Sequence, residues 1–215
     1  MRRRFVASIQ YVDVQGVVIS LDKLQKKYQI LLDRLNDADF RSNNGLGNEV
    51  GIHIFTYNPC LEIEMKEIIS QITKSDSTHK DTCKYRIREF NLYDMVLDFL
   101  DEEEILTKDG SIDRLRRVEE RRGQDRVLAN IKRLASPDRV AQAIADNTFE
   151  KDDIIFLTGV GEAYPFIRLH NVLNNIQKYV TTPIVAFYPG DFTGATFDLF
   201  GQISDGNYYR AFELV

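Results

Sequence analysis

The side chains with most chemical promise gather in one stretch, "LTGVGEAYPFIRLH", which holds Thr158, Gly159, Gly161, Glu162, Arg168 and His170. Glycines let a backbone approach a ligand closely. An arginine can grip a carboxylate or phosphate with two parallel N–H bonds, and a histidine can move a proton near neutral pH. The block follows an apolar run, "DDIIFLT", and precedes a helical pattern. That is where α/β proteins hold phosphates, against a helix N-terminus at the carboxyl end of a strand.

The letters do not complete either nucleotide pattern. A triphosphate loop needs G-x-x-x-x-G-K-[ST], because the lysine meets the β- and γ-phosphates and the hydroxyl holds magnesium. Here Gly159 and Gly161 are followed by Glu162, Ala163 and Tyr164, without a lysine, and Glu162 would repel a phosphate. The dinucleotide pattern G-x-G-x-x-G fails at Tyr164. The plainer reading is a tight strand-to-helix turn, with Pro165 opening a helix that runs to Tyr179. The other is a non-nucleotide ligand or a protein contact through Thr158, Glu162 and Arg168.

The neighbouring groups add little chemistry. Arg168 could bind an anion, but an ion pair with Glu162 that pins the loop is the simpler expectation. His170 reads as packed, since no serine, cysteine or second acid in the motif completes a triad. Asp191 stands at the end of the next apolar run, "TPIVAFYPG", as a single carboxylate within a glycine- and phenylalanine-rich loop. Among His53, His79, His170, Cys60 and Cys83, only His79 and Cys83 are close, so no metal site is expected. No catalytic constellation emerges, and no cofactor is expected.

One further segment stands out. "RLRRVEERRGQDR" mixes arginines with acids on a helical pattern. It reads as a solvated face with local ion pairs, or as a docking face for an acidic partner through Arg114, Arg117 and Arg121. A DNA-binding accessory role is a third possibility. Just upstream, "DFLDEEE" puts acids at a helix C-terminus, where the dipole disfavours them.

The elements that must position these groups alternate. "SLDKLQKKYQILLDRLND" is an amphipathic helix with Ser20 as its cap. "VGIHIFTY" is a strand, leading through Asn58 and Pro59 into the helix "NPCLEIEMKEIISQI". "KYRIREF" is a strand and "NLYDMVLDFL" a helix capped by Asn91. A helix broken near Gly123 follows, then "SPDRVAQAIADN", begun by Ser136 and Pro137. "DDIIFLT" and "TPIVAFYPG" are continuous apolar runs, the mark of strands buried on both faces, and "NYYRAFELV" supplies a last strand. The expected fold is α/β: an open, mostly parallel sheet with helices on both faces, a degenerate nucleotide-binding-like core. Residues 21–215 would form a single domain, with 92–147 as a helical insertion and residues 1–20 as an N-terminal extension.

The bulk numbers agree with a globular protein. The chain has 215 residues, 43% hydrophobic and 28% charged, which is enough for a sizeable core. A net charge of −5 argues against direct nucleic-acid binding. Two cysteines make no disulfide framework and fit a reducing cytoplasm. No apolar run reaches membrane-spanning length, and "MRRRFVASIQYVDV" lacks the apolar centre of a signal peptide.

Several stretches together resemble the BrxB family, a small component of BREX bacteriophage-exclusion systems. They are "NNGLGNEVGIHIFTYNPCLE", "LTGVGEAYPFIRLHNVLNNIQ", "PIVAFYPGDF" and "FDLFG" with "NYYRAFEL". The resemblance covers residues 21–215. It implies antiviral defence through protein–protein interaction, as a non-catalytic adaptor or scaffold. BREX systems contain a methyltransferase (PglX), a phosphatase-superfamily protein (PglZ) and a large ATPase (BrxC). PglZ is the partner the resemblance most suggests.

Overall fold

A computed structural model of the protein describes residues 10–12, 18–43, 51–78, 85–103, 113–193, 196–205 and 211–214. His79, Cys83, most of the 1–20 extension and the start of "NYYRAFELV" lie outside the described residues.

The chain begins with an antiparallel pair, β1 (Gln10–Val12) and β2 (Val18–Ser20). Ser20 thus closes a strand where α1 (Leu21–Asn36) starts, and α2 (Ala38–Arg41) follows. Then come β3 (Ile52–Tyr57), a 3-10 turn (Pro59–Leu61), α3 (Glu62–Thr78), β4 (Arg86–Asn91) and α4 (Leu92–Glu102). Three helices, α5 (Asp113–Arg122), α6 (Gln124–Leu134) and α7 (Pro137–Ala145), precede β5 (Asp153–Thr158). The rest is α8 (Val160–Ala163), α9 (Leu169–Ile176), β6 (Ile184–Phe192), β7 (Phe197–Leu199), β8 (Ile203–Asp205) and β9 (Phe212–Glu213).

The punctuation follows local chemistry. Asn58 Oδ1 accepts from Cys60 N with Pro59 at the first position, so two orphan needs of a helix start are met at once. Asn91 Oδ1 accepts from Tyr93 N and Asp94 N to cap α4. Ser136 Oγ accepts from Arg139 N to cap α7. Gly123, at φ +82°, makes the break between α5 and α6.

The main sheet runs β4-β5-β6-β3-β9 with every neighbour parallel. An antiparallel hairpin, β7 and β8, extends from β6. Alternate strand residues point to opposite faces, and each face is covered. Ile54, Ile155, Leu157 and Ala186 pack with α4, α7 and α9. Phe55, Phe156, Val185 and Phe187 pack with α1 and α3 through Leu31, Leu35, Met65 and Ile72. The fold is therefore an α/β sheet with helices on both sides. Residues of α4, α6 and α7 share the same core cluster as the sheet. No helix among the described residues is long and apolar enough to cross a membrane.

Three local expectations are corrected. The helix expected from Pro165 starts at Leu169. Before it, Phe166 N and Ile167 N both bond to Ala163 O, and Tyr164–Pro165 is a cis peptide within that turn. The loop expected around Asp191 is strand: β6 continues through Asp191 to Phe192 and turns back as β7. Helix α3 runs to Thr78, past Ile72 where the expected helix ended.

Candidate functional site

At the carboxyl ends of β3, β4 and β5 lies a cleft of about 520 Å³. Its position follows from the winding: the helix after β3 covers one face of the sheet, whereas those after β4 and β5 cover the other. A crevice opens where successive connections leave on opposite sides. Tyr57, Asn91 and Thr158 stand at the strand ends, Glu62 and Lys66 come from α3, and Glu162 comes from α8.

The polar groups of this cleft hold one another. Lys66 Nζ lies 2.6 Å from Glu162 Oε1, joining α3 to α8. That hydrogen bond is the main reason the Lys66 pKa is raised. Tyr57 donates its hydroxyl to Glu62 Oε2 at 2.5 Å. Burial first, then the Glu62 charge, drives the Tyr57 pKa upward and keeps the phenol neutral. Thr158, buried, donates through Oγ1 to Glu89 Oε1 at 3.0 Å. Asn91 is occupied as the cap of α4.

The glycines of the loop serve shape. Gly159 has φ +66°, and a Cβ there would fall 2.0 Å from Asn91 Oδ1. At Gly161 a Cβ would meet Pro189 Cγ at 2.9 Å and Phe200 Cε1 at 3.0 Å. The loop is thus wedged between the β4–α4 junction and the β7–β8 turn.

Of the residues singled out in the sequence, Thr158, Gly159 and Glu162 line the cleft. Gly161 faces the hairpin turn. Arg168 is the exposed residue before α9, with its guanidinium 5.9 Å from the Tyr164 ring centroid. The carboxylate of Glu162 is engaged by Lys66 of α3, a partner the sequence reading did not foresee. His170 is buried in α9. Asp191 is exposed on the β6 extension, opposite Asp198, and its charge acts on Lys27. Lys27 Nζ donates to Thr56 O at 3.0 Å and Oγ1 at 2.9 Å, and burial is the main cause of its lowered pKa.

Arg117 and Arg121 are exposed on α5, and Arg114 lies on the same helix. One ion pair on that helix is local, Arg116 to Glu120 at 3.4 Å. The acids ending α4 have a structural explanation. Arg139 of α7 reaches Glu102 at 2.7 Å and Glu103 at 3.5 Å while covering the Phe99 ring at 4.5 Å. Among the described residues, no group of three or more His, Cys, Asp and Glu side chains is arranged to hold a metal ion.

Sequence reasoning missed Lys66, Tyr57, Glu62 and Glu89 as cleft residues. The i, i+4 pair Glu62 and Lys66 on α3 was visible, but nothing in it pointed to α8, 96 residues away.

The comparisons with known proteins converge. The family model described as "BREX protein BrxB" matches residues 88–214, from within β4 to just past β9. A "BREX protein BrxB" of Bacillus cereus (strain H3081.97) is 40% identical over 198 residues, covering 90% of this chain and 98% of the relative. A second, of Escherichia coli O9:H4 (strain HS), is 28% identical over 195 residues, covering 89% of this chain and 92% of the relative. No solved structure matches this chain.

Proposed function

The chain belongs to the BrxB family of BREX phage-exclusion systems, and from that membership we propose that it acts as a non-catalytic adaptor, binding other BREX proteins and PglZ first among them. The observation that supports this reading is the internal pairing of the cleft. Lys66, which lines the cleft with Gly159, is engaged by Glu162, Tyr57 by Glu62 and Thr158 by Glu89. A phosphate entering there would have to break the ion pair and meet the Glu162 and Glu62 charges.

The test is co-expression and co-purification with PglZ, followed by size-exclusion chromatography of the two purified proteins at micromolar concentration. A shared peak is the expected result, and two clean separate peaks would remove PglZ as the direct partner.

A second reading draws on the cleft itself, whose size is that of a small-molecule site. In that case nucleotides or divalent cations should raise the melting temperature. The adaptor reading expects no shift with ATP, ADP, magnesium or manganese at millimolar concentration.

A further inference from the structure

A second cavity, of about 450 Å³, lies at the end of the sheet opposite the Gly159 cleft. Two of its walls are the segments that enter β5 and β6, residues 149–153 and 179–183, and the end of α2 forms a third. β5 and β6 are parallel neighbours, so their entering segments lie side by side. Two side chains at the end of α2 tie these segments together. Arg41 Nε donates to Asp152 Oδ1 at 3.0 Å, and Asn43 Nδ2 donates to Thr181 O at 2.6 Å. The volume is that of a small-molecule site.

The acids around this cavity are already engaged. Asp152 holds Arg41 at 3.0 Å, while Asp153 and Glu150 both hold Arg86, at 2.7 and 3.4 Å. The donors left over are cationic. The Arg41 side chain is only 8% exposed. Its Nε and Nη1 are bonded, the latter to Leu35 O at 3.0 Å, but its Nη2 makes no hydrogen bond among the described residues. Lys151 is exposed and has neither an ion pair nor a hydrogen bond among the described residues. One acceptor is left over as well. Asn43 Oδ1 is buried and receives no donor, and native folds rarely leave a buried acceptor in that state.

We propose that this cavity binds a small carboxylate with an amine or hydroxyl beside it, the chemistry of an α-amino acid or a hydroxy acid. The carboxylate takes the unused donors of Arg41 and Lys151, for which a guanidinium edge is well shaped. The neighbouring N–H or O–H supplies Asn43 Oδ1. Charge selects against a phosphate. Arg41, Arg86 and Lys151 balance Glu150, Asp152 and Asp153, so the surroundings are formally neutral. A zwitterion keeps that balance, whereas a phosphate would set close to two negative charges beside three carboxylates. This goes beyond the adaptor reading and does not depend on it.

The experiment screens the full-length protein by thermal shift against the common L-amino acids, lactate, malate and citrate at millimolar concentration. Titration calorimetry follows for each compound that raises the melting temperature. At least one should do so and bind one-to-one. Acetate, which lacks the donor, and the methyl ester of the bound compound, which lacks the charge, should each bind at least about tenfold more weakly. Lys151→Glu, at an exposed position, should weaken binding at least about tenfold while the ligand-free melting temperature stays the same. Arg41→Lys should weaken it too, and Lys23→Glu, the same charge change on α1, should alter it less than about twofold. No shift with any compound would overturn the inference and leave the adaptor reading standing. Equal binding of acetate and the parent compound would overturn it by removing Asn43 from the site. Preference for inorganic phosphate or a nucleotide would do so as well. Binding lost in Lys66→Met but kept in Lys151→Glu would place the ligand in the strand-end cleft, and the assignment would be wrong.

Discussion

Lys66 on α3 and Glu162 on α8 meet at 2.6 Å across the mouth of the strand-end cleft, tying together helices that cover opposite faces of the sheet. Their side chains are 48% and 40% exposed, so water screens the pair. Lys66→Met or Glu162→Gln should therefore cost below about 1 kcal/mol in urea unfolding. The coupling in a double-mutant cycle should shrink in 1 M salt. A coupling above about 2 kcal/mol would mean the bridge behaves as a buried pair.

Gly159→Ala should be far more damaging than its size suggests. The residue has φ +66°, and the added methyl would strike the Asn91 oxygen that caps α4. A loss of about 2–4 kcal/mol is expected by chemical denaturation. Asn91→Ala alone removes the cap and should cost about 1 kcal/mol. The double variant should lose less than the sum, because deleting Asn91 makes room for the methyl. Strict additivity would show that the two sites do not touch in solution.

At the opposite end of the sheet, buried Asp153 accepts from Arg86 Nε at 2.7 Å and Nη2 at 2.9 Å. It also accepts from Glu150 N at 2.9 Å. Asp153→Ala should lose about 3 kcal/mol, since three donors lose their acceptor. Asp153→Asn should lose less, because its amide oxygen can still accept. Equal losses in the two variants would count against this assignment.

His53 supplies an acid limb to the stability curve. It lies between the rings of Phe40 and Phe212, at centroid distances of 4.5 and 5.8 Å. Burial, and secondarily Arg34, pushes its pKa down from 6.5 to about 4. The unfolded chain then binds the proton more readily. Stability should be fully present above pH 6.5 and be lost as pH falls toward 4, by up to about 1.4 kcal/mol per pH unit from this group. His53→Leu should flatten that slope between pH 6.5 and 4.5 in urea titrations. An unchanged slope would mean another group controls it.

The frame was legible because its signals are local. The apolar runs of β5 and β6 are continuous since both their faces are covered, and the Asn58, Asn91 and Ser136 caps act within three residues. What the sequence hid depends on distant partners. Glu162 finds Lys66 and the acidic end of α4 finds Arg139, through contacts set by the packing of non-adjacent helices. Pro189 and Gly190 are residue types that favour turns. Yet they sit in a strand, where Phe200 N donates to Pro189 O at 2.9 Å and Gly190 lets the Asp198 carbonyl come close. A proline lacks a donor but keeps its acceptor, and no short-range rule reveals which of the two a sheet will use. For α9, the turn bonds to Ala163 O occupy the positions where a helix from Pro165 was expected.

The prolongation of β6 into a hairpin has a consequence for engineering. In an open α/β sheet a dinucleotide straddles the middle strand, one half resting on either side. Here the middle strand runs on to Phe192 before turning back, and Phe200 packs close to Gly161. Grafting a lysine and a hydroxyl into the glycine turn would leave the seat half roofed. Building a nucleotide site on this scaffold would require cutting back the hairpin before rewriting the turn.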